Sequence, residues 1–253
     1  AQINLINTLA TKAAIEAGQR VLDVGCGMGG TSLHLAGHRG CHVTGITLSP
    51  VQRWWARISA LCQGAASKTS FRRVNAEQVI FEPSTFDVVW SVECTEHFFD
   101  KPAFFRKAAS WLRPGGRVAI CAWLAGEQAS TPEGTRQAEL VCESFLCPSL
   151  GSRDDYLAWM TDAGLTMVCD EDWTDRVLET WEICELRVRR TGLRWLAKLL
   201  DQNTQKFLDH FETILNAYRS RAMAYNCFVA KVSPAHAVVK SPSGEGVTAS
   251  NGH

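Results

Sequence analysis

Short apolar segments alternate with amphipathic segments over the first two-thirds of the chain. The apolar segments are rich in β-branched and aromatic residues, which is typical of buried strands, and they cover residues 20–24, 42–47, 70–74, 86–91 and 117–123. Between them, the spacing of apolar positions predicts helices that begin near Thr31 and that cover 50–62 and 101–112. This alternation favours an α/β fold, with a parallel sheet and helices on both of its faces.

The remaining third of the chain continues the pattern with interruptions. Residues 153–163 predict a helix that Gly164 ends, 165–168 predict a strand, and 223–232 predict a final strand. Two segments rich in Leu, Trp and Phe, at about 126–150 and 175–220, have helical patterns. In a doubly wound sheet such insertions fold over the carboxyl edge of the strands, so we expect a helical cap on a single domain of residues 1–232. The composition of 233–253 predicts a disordered tail.

Composition narrows the possible environments and partners. The 26 basic residues balance the 26 acidic residues, which favours neither nucleic acid nor an anionic membrane as a partner. No apolar run reaches the roughly 18 residues of a spanning helix, and we expect no signal peptide, since the first residues lack its pattern. The ten cysteines form no CxxC pair, and several lie within apolar patterns. We therefore expect reduced, buried thiols in a cytoplasmic protein without a metal site.

A glycine-rich loop joins the first predicted strand to the first helix. Its sequence, DVGCGMGG at 23–30, allows positive φ angles and close approach of the backbone to a ligand. The loop also satisfies the GxGxxG pattern of dinucleotide sites. Two features argue against a dinucleotide: Asp23 would repel a pyrophosphate, and residues 46–49 after the second strand offer no carboxylate for an NAD ribose.

Ionisable residues follow the fourth predicted strand. In WSVECTEHF, at 90–98, the side chains of Glu93, Glu96 and His97 come directly after a buried apolar run. In an open α/β sheet this places them at the carboxyl edge, where ligands bind. An imidazole with a pKa near ~6.5 suits proton abstraction at neutral pH, and a neighbouring carboxylate can orient its tautomer. This segment is the candidate catalytic site.

Several segments together carry a family resemblance: VLDVGCGMGG, GITLSPVQ, FDVVWS, SVECTEHF, LRPGG, and EDW at 171–173. On these segments the chain resembles the class I S-adenosylmethionine-dependent methyltransferases. It is most similar to the branch that includes γ-tocopherol C-methyltransferases and plant alkaloid N-methyltransferases, over residues 1 to about 232. The resemblance implies a Rossmann-like doubly wound sheet, mostly parallel with a reversed last strand. It also implies S-adenosylmethionine as the cofactor and S-adenosylhomocysteine as its product.

The resemblance also assigns cofactor contacts to each strand end. After the first strand, the methionine part would contact Gly25, Cys26 and Gly27, with Asp23 assisting its ammonium group through water. After the second, Thr47 and Gln52 are ribose candidates beside Leu48, in place of the acid that many relatives carry. The adenine would lie near the residues that follow the third strand, namely Asn75, Ala76, and Glu77 or Gln78. The sulfonium and its methyl group would face Ser91 and Val92.

By the same resemblance, His97 would be the general base, Glu96 its orienting partner or an amine partner, and Glu93 a neighbour of the acceptor. Trp123 and Trp173 are candidates for an aromatic acceptor pocket, whereas Trp195 and Phe211 are expected to pack the insertion onto the sheet. Relatives usually carry a preceding lid segment with a Tyr. The sequence begins inside that region, so the lid is reduced or the sequence is trimmed, and a trimmed sequence would leave the list of cofactor contacts incomplete.

The expected function is methyl transfer to a small, largely apolar acceptor: a phenol carbon, an amine nitrogen or a hydroxyl of a secondary metabolite. A non-catalytic S-adenosylmethionine-binding regulatory domain and an NAD-dependent oxidoreductase are the alternatives. We expect no nucleic-acid partner, because the sequence shows neither a basic stripe nor a flat aromatic platform. The oligomeric state is left open.

Overall fold

The computed structural model describes residues 2–190 and 202–232. Its strands are β1 (Arg20–Val24), β2 (His42–Thr47), β3 (Thr69–Arg73), β4 (Phe86–Val92), β5 (Leu112–Ala125), β6 (Leu165–Asp172) and β7 (Met223–Val232). They form one sheet in the order β3-β2-β1-β4-β5-β7-β6. β7 runs antiparallel to β5 and β6, and the pairs from β3 to β5 are parallel. The predicted fold class, mostly parallel with a reversed last strand, is confirmed.

Helices cover both faces of this sheet. They are α1 (Gln2–Lys12), α2 (Gly30–His38), α3 (Pro50–Cys62), α4 (Lys101–Trp111), α5 (Pro132–Phe145), α6 (Arg153–Asp162), α7 (Thr174–Arg190) and α8 (Gln202–Arg219). The α4 and α6 helices bury aromatic residues against one face, and α1, α5, α7 and α8 contribute to the core on the other. Within the described residues, no helix is long and apolar enough to cross a membrane.

Most predicted elements are present, and the differences have local causes. The β5 strand begins at Leu112 rather than Arg117, because Leu112 already pairs with Phe86 before a register shift. Residues 113–116 therefore form an irregular start of the strand. The β6 strand continues past Val168, since it pairs with β7 as far as Asp172. Sequence patterns assigned no element to α1.

The start of α3 has a side-chain cap and a proline in its first turn. Ser49 Oγ accepts a hydrogen bond from the Gln52 amide N–H at 3.2 Å, and Pro50 occupies the first turn. The Gln52 side chain does not return to the Ser49 N–H. Instead, its Oε1 accepts a hydrogen bond from the Thr47 hydroxyl at 2.7 Å. Gln52 thus links the N-cap of α3 to the end of β2, because its backbone N–H bonds Ser49 and its side chain bonds Thr47.

The two predicted insertions supply α5, α7 and α8. Both α5 and α7 pack against α8, and the rings of Trp181 and Phe211 meet there with centroids 5.3 Å apart. At the end of α5, the Phe145 ring stands edge-on to Trp123 at 5.1 Å, so the first insertion borders the carboxyl edge of β5. Trp195 and the predicted tail 233–253 lie outside the described residues.

The EDW segment joins α1 to the far edge of the sheet. Lys12 Nζ lies 2.5 Å from Glu171 Oε1, and the Trp173 indole N–H donates to Glu171 Oε2 at 3.0 Å. These two donors lower the pKa of Glu171 to about 2. Trp173 itself is only 3% exposed and packs in the core with Val177 of α7. The structure thus gives Trp173 a packing position and does not expose it to the cleft.

Candidate active site

Two glycines of the loop after β1 have positive φ angles and opposite surroundings. Gly25 has φ +74°, and a Cβ placed there would lie 2.3 Å from Cys94 Sγ. Gly27 has φ +53°, and a Cβ there would meet nothing within 4 Å. Packing beneath the loop therefore requires Gly25, whereas the backbone at Gly27 faces open space that a ligand can enter.

Three residues predicted to contact the cofactor, Asp23, Cys26 and Ser91, are buried next to this loop. Asp23 is buried and accepts a hydrogen bond from the Ser32 hydroxyl at 2.5 Å, which anchors the first turn of α2. Burial raises the pKa of Asp23 to about 6, and the hydroxyl and N–H of Ser32 offset only part of that rise. Ser91 is completely buried and donates to the Val24 carbonyl at 3.2 Å. The Cys26 side chain is also buried, and burial raises the pKa of its thiol.

The end of β2 presents an oriented amide beside an exposed leucine. Thr47 donates its hydroxyl proton to Gln52 Oε1 and accepts the Ser49 N–H at 3.2 Å, so its proton is used within the protein and one acceptor lone pair remains. This arrangement fixes the Gln52 carbonyl and leaves its Nε2 donors for an external acceptor. Leu48 is 66% exposed next to this amide. Of the two ribose candidates, Gln52 therefore offers donors and Thr47 an acceptor lone pair.

The turn after β3 is tied to the turn after β4. Asn75 Oδ1 accepts the Glu77 N–H at 2.9 Å, and Ala76 between them is buried. The Glu77 carboxylate accepts the backbone N–H groups of Phe99 and Asp100, each at 2.9 Å. The side chain predicted to contact adenine is therefore engaged in holding the segment that follows His97.

Glu93 occupies a strained position at the end of β4. Its φ is +52°, a region that side chains other than glycine seldom adopt, and its N–H donates to the Cys121 carbonyl at 2.9 Å. Its Oε1 accepts the Tyr225 hydroxyl proton at 3.1 Å. The Trp123 indole lies near the same carboxylate but makes no hydrogen bond of normal geometry. Burial raises the pKa of Glu93.

His97 ends a 3₁₀ turn (Thr95–His97) and is exposed to solvent. Its Nδ1 lies 3.5 Å from Cys147 Sγ, and its ring centroid lies 6.4 Å from that of Trp123. Desolvation lowers the pKa of His97, although a hydrogen bond with the Leu146 carbonyl raises it. The imidazole is therefore mostly neutral at neutral pH.

Glu93 and His97 share a combination of properties that marks a cleft. Solvent reaches both side chains, yet the loss of surrounding water is the largest cause of both pKa shifts. An exposed group on a convex surface would keep its water, whereas a group on a concave wall is reached by solvent and still surrounded by protein. Val92, the last residue of β4, is half-buried.

Glu96 points into the protein and not towards the imidazole. It is completely buried, and neither carboxylate oxygen has a hydrogen-bond partner of normal geometry. Burial raises its pKa to about 8, which the backbone amides of Glu96 and Trp123 offset only in part. Lys101 is also buried, but its ammonium donates to the Phe98 carbonyl at 2.8 Å. The residues that contact the His97 ring are Leu146 and Cys147, whereas Glu96, predicted to orient it, lies in the core.

We expect Glu96→Gln to stabilise the protein. The unfolded chain releases this proton near pH 4.5 and the folded chain near pH 8, so wild-type stability falls as the pH rises between these values. The neutral amide of Gln does not have to be protonated on folding. The free energy of unfolding of Glu96→Gln should therefore exceed that of wild type by an amount that grows from pH 4.5 to pH 8, to about 2 kcal/mol. Urea denaturation at a series of pH values measures it, with the exposed Glu82→Gln as the matched control. A Glu96→Gln variant that is less stable than wild type at pH 8 would contradict the buried, protonated state.

Sequence patterns did not indicate three residues that contact Glu93 or His97: Tyr225 on β7, and Leu146 and Cys147 after α5. Tyr225 lies 132 positions from Glu93, and Cys147 lies 50 positions from His97. No motif or spacing connects such positions, because only the folded sheet and the first insertion bring them together. Trp123, predicted to line the acceptor pocket, is 5% exposed, and its ring centroid lies 6.4 Å from that of His97.

Comparisons with known proteins identify the family of the chain. Residues 3–170 match the family model of a methyltransferase domain. The chain is 38% identical to a chloroplastic tocopherol O-methyltransferase of Arabidopsis thaliana over 182 residues, which is 70% of this chain and 51% of that protein. It is 31% identical to norajmaline N-methyltransferase of Rauvolfia serpentina over 161 residues, 62% of this chain and 55% of that protein. The chain therefore spans about half the length of these curated relatives.

A solved structure supports the fold. A geranyl diphosphate methyltransferase in complex with SAM superposes with a TM-score of 0.76 at 24% identity, covering 91% of this chain and 85% of that one. The resemblance to tocopherol and alkaloid methyltransferases, drawn from short segments, is confirmed by relatives of both kinds. The chain belongs to the methyltransferase domain family.

Proposed function

We propose that this protein transfers a methyl group from S-adenosylmethionine to a small, largely apolar acceptor: a phenol carbon, an amine nitrogen or a hydroxyl. One observation carries the proposal. The open backbone at Gly27 lies at the same sheet edge as a solvent-accessible, neutral imidazole at His97. Relatives named for O- and N-methyl transfer support the reaction class and leave the acceptor atom open.

The residues present suit the cofactor. The open position at Gly27 admits a bulky ligand against the loop, close to the amino end of α2, where backbone N–H groups can add a polar lining. The Gln52 amide, held by Thr47, can donate to ribose hydroxyls, and the exposed Leu48 can cover an apolar ring. When bound, S-adenosylmethionine supplies an electrophilic methyl group on a sulfonium.

His97 acts as the general base in this proposal. Cys147 Sγ lies 3.5 Å from Nδ1, and a sulfur that accepts there would hold the ring proton on Nδ1 and leave the lone pair on Nε2. The Cys147 thiol donates to the Phe145 carbonyl at 3.8 Å, so its sulfur is free to accept. Nε2 then takes the proton of an acceptor O–H or N–H as the acceptor attacks the methyl group.

Glu93 serves the acceptor's polar end. Its carboxylate is fixed by the Tyr225 hydroxyl and by the strained backbone at φ +52°, so it is held in place before an acceptor binds. A fixed carboxylate accepts a hydrogen bond from a hydroxyl or pairs with an ammonium. Trp123 beside it offers an apolar wall for the remainder of the acceptor.

The test is a transfer assay. The full chain is incubated with methyl-labelled S-adenosylmethionine and a panel of phenols, amines and hydroxylated metabolites, and product is counted with and without each acceptor. We expect acceptor-dependent label in at least one class. S-adenosylhomocysteine binding without transfer to any acceptor would favour the non-catalytic alternative, and NADH binding without S-adenosylhomocysteine binding would favour the oxidoreductase.

A further inference from the structure

The α3 helix carries its large apolar residues on the outside. Its apolar positions recur with helical spacing, at Val51, Trp54, Trp55, Ile58, Leu61 and Cys62. Yet Val51, Trp54, Trp55 and Leu61 are between 47% and 69% exposed, and the buried residues of the helix are Ala56 and Ala60. In an ordinary surface helix the broad apolar stripe faces the core, whereas the large apolar residues of α3 face solvent.

The inward face is small because the helix lies close to the glycine loop. A Cβ at Gly29 would lie 2.9 Å from the Ala56 Cβ, which leaves no room for a larger side chain on either element. Two alanines and Phe71 of β3 fill the contact. Folding therefore explains the alanines, but it gives no reason for two tryptophans on the solvent side.

The surroundings of the outer face are basic. The α3 sequence, PVQRWWARISALC, contains two arginines and no acidic residue. Arg57 on α3 and Arg73 on β3 are exposed, and neither forms an ion pair with another described residue. Arg73 Nε donates to the carbonyl of Leu48, which adds an exposed apolar side chain to the same face. The balanced net charge of the whole chain does not reveal this local excess.

We propose that the outer face of α3, formed by Val51, Trp54, Trp55 and Leu61 with Arg57 and the neighbouring Arg73, docks on an anionic lipid surface. Tryptophans suit the boundary between headgroups and acyl chains, aliphatic residues gain from burial beneath it, and arginines pair with anionic headgroups. A second copy of this chain fits less well, because a two-fold contact would bring the unpaired arginines of both copies together. Docking would hold the adenosine end of the cleft, at Leu48, beside the membrane.

The test compares vesicle binding by two double variants of the full chain. Vesicles of phosphatidylcholine alone and of phosphatidylcholine with phosphatidylglycerol are sedimented with the protein. We expect wild type to bind the anionic vesicles and to be released at high salt, and Trp54→Ser with Trp55→Ser to lower the bound fraction at least about fivefold. Leu140→Ser with Val168→Ser, which removes exposed apolar residues elsewhere, should bind as wild type does.

Thermal melts of both double variants show whether each is folded, so a loss of vesicle binding that is caused by unfolding can be recognised. Three outcomes overturn the proposal: equal vesicle binding by folded wild type and the tryptophan variant, equal binding to neutral and anionic vesicles, or a concentration-dependent dimer in sedimentation equilibrium that the tryptophan variant abolishes. The last would assign the face to a second copy. None of them bears on methyl transfer, which is assayed in solution.

Discussion

His97→Ala is expected to lower kcat by about a hundredfold, the usual contribution of a positioned general base. Affinity for S-adenosylhomocysteine should stay within about twofold of wild type, because the imidazole faces the acceptor side in this account. The pH profile gives a second readout. Desolvation lowers the pKa of His97, so its basic form persists to below the usual histidine range and activity is lost only as the pH falls through that lowered value. The residual activity of His97→Ala should lack this loss at low pH, which is the acidic limb of the pH profile.

The matched control for that variant is His42→Ala. His42 is an exposed histidine that begins β2 at the amino edge of the sheet, away from the cleft, so its removal should leave kcat unchanged. Full activity of His97→Ala, with an acidic limb like that of wild type, would show that another group takes the acceptor proton.

Gly27→Ala should mainly weaken cofactor binding, whereas Gly25→Ala should mainly destabilise the fold. At Gly27 the added methyl group meets no protein atom within 4 Å, so the cost is backbone strain of about 1 kcal/mol. That methyl group enters the space proposed for the cofactor, so S-adenosylhomocysteine affinity should fall at least about tenfold. At Gly25 the added Cβ would lie 2.3 Å from Cys94 Sγ, and we expect a loss of about 3 kcal/mol or more in the free energy of unfolding.

Gly18→Ala is the control for both. Gly18 has φ +82° and nothing within 4 Å of an added Cβ, and it precedes the amino end of β1, so it carries the same kind of backbone strain away from the loop. Urea denaturation reports the stabilities, and calorimetric titration with S-adenosylhomocysteine reports the affinities. Binding by Gly27→Ala as tight as that of Gly18→Ala would place the cofactor elsewhere.

The fold was predictable because its determinants are local and repeated. Alternating apolar runs, the cap at Ser49 and the stop at Gly164 each act within a few residues, and together they specify strands and helices in a parallel order. The irregular start of β5 and the extension of β6 were not predictable, since both depend on pairing with a neighbouring strand. The α1 helix is held from the far edge of the sheet by Glu171.

The site was predictable in its location and less so in its contacts. Sequence order places the glycine loop, the end of β2 and the turn after β4 at one edge, but it does not show which way a side chain points. Glu96 and His97 are adjacent in sequence, and a 3₁₀ turn sends one into the core and the other to solvent. Glu77 likewise serves a backbone turn on another strand end. Such assignments depend on tertiary contacts that no short motif records.

The central claim is that a sulfur nucleoside lies on the loop at Gly27 with its sulfur facing the cleft wall at His97. A crystal structure of the full chain with S-adenosylhomocysteine tests it most directly. We predict the methionine part against the backbone of 25–27, the ribose at the Gln52 amide, and the sulfur between the loop and the imidazole. Density for the ligand at another sheet edge, or an imidazole of His97 turned away from the sulfur across the cleft, would contradict the account.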